Sequence, residues 1–176
     1  MKKKKQKIVQ QQLSPIEYIK TKVRTLPIYK CYINSDWLEW GITTLMVSRI
    51  HPAGSFTFAN FLIDTYTLGF TKTLVMFNVP QKAISDMLET FVSKKSESQM
   101  IVEIDYVLAH NIIYGAVNFN KEMGYKIPKD FELTKYILQD NNDKVDHIDI
   151  VFGREERDER LERFAKELDK MKQNTL

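Results

Sequence analysis

The sequence is short of nearly everything that builds a secreted, fibrous or membrane-spanning protein. Its one cysteine, Cys31, leaves no partner for an internal disulfide and no second thiolate for a metal site. A reducing compartment, the cytoplasm, is therefore the expectation. With 6 glycines and 5 prolines among 176 residues, neither a fibrous repeat nor wholesale disorder describes the chain. Apolar stretches are broken by Asp, His, Asn or Lys well short of the roughly 18 residues of a membrane helix. The basic start is followed by Ile8-Val9 and then Gln10-Gln11-Gln12, which is not the apolar region of an export signal. Also missing are a P-loop, a Rossmann glycine fingerprint, a nucleophile elbow and a His-x-x-x-His pair, which argues against the familiar enzyme classes without excluding a site assembled in space.

What is present suffices for one domain, since 43% of residues are hydrophobic and 11% aromatic. Charge is distributed unevenly. Residues 1–30 hold nine Lys or Arg against Glu17 alone, a balance of +8, while the remainder carries 17 basic against 22 acidic side chains, a balance of −5. Residues 1–12, rich in Lys and Gln, have too little to bury to offset their ordering entropy and read as a disordered tail. Lys2, Lys3, Lys4, Lys5 and Lys7, with Lys20, Lys22 and Arg24 beyond them, are the candidate contacts to RNA or another polyanion. A tail that merely aids solubility is the plainer alternative.

Residues 13–153 read as a single α+β domain and 154–176 as a charged C-terminal helix. Ser14-Pro15-Ile16-Glu17 has the capping-box pattern, and Ile16, Ile19, Val23 and Leu26 mark one helical stripe ending near Pro27. Residues 27–33 predict a strand. Residues 42–50 and 55–65 flank His51-Pro52-Ala53-Gly54 and predict a long hairpin, with 71–79 a further strand or a loop. Helical periodicity returns from Ala83 to Val92, then over 98–123, where apolar residues around most of the circumference predict a buried helix. A third helix is expected from Asp130, acting as its cap, to Leu138, and a short strand over 147–152. The last helix carries a narrow stripe of Leu161, Phe164, Leu168 and Met171 that suits docking on the body or on a partner. The expected architecture is a small antiparallel sheet built on a long hairpin, packed against a buried central helix.

Four residues are candidates for catalysis. His110 lies in the buried helix, with Glu103 two turns earlier on the same face and Asp105 nearby, a grouping suited to acid–base work or a metal if it faces a cleft. A core histidine with a backbone partner is the simpler reading. Asp64 ends an apolar run beside Gly69, where carboxylates serve metal or phosphate chemistry, or cap a turn and pair with Lys72. Gly115 is read as admitting a close neighbour, Trp37 and Trp40 as core, Cys31 as an inert small hydrophobe and His51 as exposed. No metal ligand set and no cofactor is expected.

Two stretches carry a resemblance. Trp37-Leu38-Glu39-Trp40-Gly41 through Asp64-Thr65-Tyr66-Thr67-Leu68-Gly69-Phe70-Thr71-Lys72, and His110-Asn111-Ile112-Ile113-Tyr114-Gly115 through Gly124-Tyr125-Lys126-Ile127-Pro128-Lys129-Asp130-Phe131, resemble an uncharacterised bacterial family. That family has a Val-Asp-x-x-Cys-Leu-Gly-Val-Lys-Asp-like stretch and a helix ending in a Gly-Phe-x-Pro-x-x-Asp-Phe-like stretch. Thr67 stands in place of the family's cysteine and Thr73 in place of its second aspartate. The resemblance implies a shared fold over about residues 35–153 and no activity. The leading expectation is a non-catalytic binding module of a larger assembly that touches RNA or another polyanion through its basic arm. The rivals are a metal-dependent hydrolase or nuclease using Asp64, Asp105 and His110, and a protein-binding adaptor acting through residues 154–176.

Overall fold

A computed structural model describes residues 13–93, 100–141, 145–153 and 157–174. Five strands form one antiparallel sheet in the order β4-β3-β2-β1-β5: β1 (Ile28–Asn34), β2 (Ile42–Ile50), β3 (Phe56–Asp64), β4 (Gly69–Val79) and β5 (Ile101–Ile104). The helices are α1 (Pro15–Thr21), α2 (Trp37–Trp40), α3 (Gln81–Ser93), α4 (Tyr106–Glu122), α5 (Phe131–Thr134) and α6 (Arg157–Asn174). The hairpin expected around residues 51–54 is the backbone of the sheet, with β2 and β3 in unbroken register from Ile42↔Asp64 to Ile50↔Phe56.

Side chains alternate across the sheet, so each strand serves two faces. One face, including Cys31, Ile33, Leu45, Val47, Ala59, Phe61 and Ile63, joins Ile112, Ile113 and Ala116 of α4 in the main core. Met46, Phe56 and Phe58 face the other way and meet Ile84 of α3 in a smaller cluster. The central helix is as buried as its composition requires, with Leu108, Ala109, Ile112, Ile113, Ala116 and Val117 all enclosed.

Several boundaries differ from expectation, each for a local reason. The helix expected over 98–123 begins only at Tyr106, because Asp105 accepts the Val107 N–H at 2.6 Å as its cap, and β-branched Ile101-Val102 pair with β1 at Asn34 and Ile33. The Ser14 capping box forms, but α1 ends at Thr21 and a 3₁₀ turn covers Val23–Thr25; Ile19, Val23 and Leu26 are buried while Ile16 is 54% exposed. Asp130 makes no side-chain cap, and after α5 the chain tightens into a 3₁₀ turn at Lys135–Ile137. Residues 147–152 form no strand. They run beside α4, where the Asn111 amide donates to Asp146 O (2.8 Å) and accepts from the Ile148 N–H (3.1 Å). Gly115 makes that approach possible, since a Cβ there would lie 2.8 Å from the Phe152 ring. The terminal helix docks on the body through Phe164, edge-on to Trp37 at 4.7 Å between ring centroids. The disorder expected for residues 1–12 lies outside the described residues.

Candidate functional site

Of the four catalytic candidates, the fold brings two together. Glu103 on β5 and Asp105 at the start of α4 line a groove of about 400 Å³ with Tyr29, Lys30, Cys31 and Tyr106. Glu103 is therefore not on the helix of His110, and its carboxylate is occupied: Lys30 Nζ donates to Glu103 Oε2 at 2.6 Å, which raises the ammonium above its usual pKa. Asp105 is committed to capping α4. His110 is buried one turn further along, its ring between Tyr106 and Tyr114 at centroid distances of 5.7 and 4.6 Å.

Asp64 is elsewhere. It ends β3 opposite Gly69, which packs against Ala116, Phe119 and Asn120 near the far end of α4. Fifteen residues of helix separate Asp105 from Asn120, about 22 Å at 1.5 Å per residue. The Asp64 carboxylate instead organises its own turn, accepting from the Tyr66 and Thr67 N–H groups (2.9 Å each) and from the Thr67 hydroxyl (2.5 Å). No ion pair links it to Lys72, whose register partner is Leu62. Thr67 thus has a structural role in that turn. Among the described residues, no group of three or more His, Cys, Asp or Glu side chains could hold a metal ion.

The basic candidates divide in the same way. Lys2, Lys3, Lys4, Lys5 and Lys7 lie outside the described residues, while Lys20 and Lys22 are exposed on and just after α1. Arg24 is not free for a polyanion. Its Nη1 meets Asp140 at 3.0 Å, its Nε and Nη2 donate to Leu138 O and Lys135 O, and its guanidinium lies over the Tyr136 ring.

Of the single-residue expectations, those for Trp40 and His51 need revision. Trp40 is 66% exposed, because α2 is only one turn long and Trp37 takes its inward position. His51 is half-buried rather than exposed: its ring packs on Tyr18 and Phe77, its Nε2 is 2.8 Å from Thr57 Oγ1, and burial lowers its pKa. Cys31 is a buried small hydrophobe as expected, and burial pushes its thiol up to about 12.

The residue that sequence reading missed is Arg49. It sits near the end of β2 on the core face with no exposed surface, and it spans two 3₁₀ turns from distant parts of the chain. Its Nε donates to Ile137 O at 2.6 Å, and its Nη1 to Leu26 O at 2.5 Å and Arg24 O at 3.2 Å. Burial lowers the guanidinium to about 10, so it stays charged at neutral pH. Its only sequence signal was parity, since Leu45, Val47 and Arg49 alternate onto one face.

Comparison with known proteins finds no matching family model, curated protein or solved structure, so function rests on this chain's own residues. No helix among the described residues is long and apolar enough to cross a membrane.

Proposed function

We propose that the protein is a non-catalytic binding module whose basic N-terminal arm contacts RNA. The observation that carries the reading is the set of five lysines without an acidic residue in positions 1–12, continued onto the folded body by the exposed Lys20 and Lys22, while Arg24 and Lys30 are ion-paired to Asp140 and Glu103. Closely spaced lysines bind a phosphate backbone by releasing its condensed counterions, which requires neither a pocket nor a defined sequence. In support, the candidate carboxylates have structural partners: Glu103 holds Lys30, Asp105 caps α4 and Asp64 closes a turn.

The test is a titration of single-stranded RNA with the full chain and with a variant lacking residues 1–12, over a range of salt. For every phosphate that the protein no longer neutralises, the slope of log affinity against log salt should fall by about 0.7. Removing five lysines should therefore flatten it by up to about 3.5 units, while the melting temperature stays nearly constant. Lys20→Gln with Lys22→Gln in the full chain should weaken binding further. Unchanged affinity and slope after truncation, or no salt-dependent binding by the full chain, would refute the reading.

A further inference from the structure

The two edges of the sheet are treated very differently. The β5 edge is four residues long and carries Glu103, the kind of short, charged strand that discourages further pairing. The β4 edge is eleven residues long, has no proline and carries one charge, Lys72. Among the described residues, only its beginning is closed. There the Asn120 side chain accepts from the Phe70 N–H at 2.8 Å and donates to Phe70 O at 3.0 Å, taking the place a neighbouring strand would occupy. From Thr71 to Phe77, no loop or side chain among the described residues bonds the outer backbone of β4. Beside that open edge, Leu62, Leu74 and Met76 are exposed on the sheet face that α3 leaves uncovered.

We propose that β4 pairs antiparallel with β4 of a second copy of this chain, joining two five-stranded sheets into one of ten strands. A two-fold axis makes such an interface self-complementary, and an antiparallel edge is its own complement. With the axis at Leu74, Leu74 faces its symmetry mate and Thr73 faces Val75. Lys72 then lies opposite Met76, so the only charge on the strand never meets its copy. Leu74 and Met76 of the two copies form one continuous apolar row across the junction. An axis at Lys72 is disfavoured, because it would oppose two ammonium groups. The inference goes beyond the RNA reading and does not depend on it, although a dimer would present two basic arms to one polyanion.

The experiment uses the full chain carrying Cys31→Ala, so that an added cysteine is the sole thiol. Sedimentation equilibrium should give twice the 20.7 kDa chain mass at micromolar concentration. Leu74→Lys, at a position exposed in the single chain, should return it to the monomer with little change in melting temperature. Under mild oxidation, Leu74→Cys should cross-link to a covalent dimer. Lys72→Cys should not, because the two copies of that residue would sit about 14 Å apart along the strands. A monomer at about 100 micromolar, or equal cross-linking at both positions, overturns the proposal. So does a monomer whose β4 amides resist exchange only while residues 1–12 are present, since that would place the chain's own tail on the edge.

Discussion

Arg49→Met tests whether a buried guanidinium or the surrounding packing holds the domain together. The substitution keeps the length and apolar body of the side chain and removes three donated hydrogen bonds, to Arg24 O, Leu26 O and Ile137 O. Hydrogen bonds from a charged donor contribute about 1.5–3 kcal/mol each. Against them stands the burial of the charge, which lowers the pKa to about 10 and costs about 3 kcal/mol at 1.36 kcal/mol per unit. Replacing a buried ion pair by apolar groups is often neutral, because both partners are removed together. Here the acceptors are backbone carbonyls and remain, those of Leu26 and Ile137 buried and without this donor. We therefore expect a loss of about 3–5 kcal/mol, a fall in melting temperature of about 6–20 °C for a domain of this size. Urea unfolding followed by fluorescence measures it. Arg49→Lys should lose a similar amount, since one ammonium cannot span two turns as the planar guanidinium does. A methionine variant as stable as the parent would refute the reasoning and show that the two turns are tied by packing alone.

Gly69→Ala should cost about 2–4 kcal/mol, because φ is +65° and a Cβ would lie 1.9 Å from Asn120 Oδ1, breaking the bonds that close the start of β4; slowed amide exchange at Phe70 that survives the change would contradict this. Cys31 predicts a pH dependence. Its folded-state pKa is raised from 9.0 to about 12, so the stability it contributes is complete below pH 9 and is lost as pH rises toward 12, by up to about 4 kcal/mol; Cys31→Ala should flatten the urea midpoint across that window, and an unchanged slope would exclude the thiol as its source. His110→Ala should destabilise by about 1–3 kcal/mol with no change in RNA affinity, checked by calorimetry and titration, because the ring is buried between Tyr106 and Tyr114.

Patterns with a local cause were legible from the chain alone. The hairpin was written in two β-rich runs around Pro52 and Gly54, the first helix in the Ser14–Glu17 box, and the buried helix in an apolar circumference from Val107 to Val117. Tertiary pairing decided the rest. Ile101–Ile104 has no alternation that would separate it from the helix after it, and it became a strand only because β1 offered an edge. Residues 147–152 alternate as a strand would, yet Gly115 drew them onto a helix instead. The candidate site came apart for the same reason: Glu103, Asp105 and His110 are close in sequence, but the strand-to-helix change at Asp105 leaves Glu103 on β5 and His110 buried within α4, and Asp64 lies beside the far end of α4. Arg49 is the converse case. Composition marks an arginine as a surface residue, and only the convergence of two distant turns on one strand supplies the carbonyls that let it be buried.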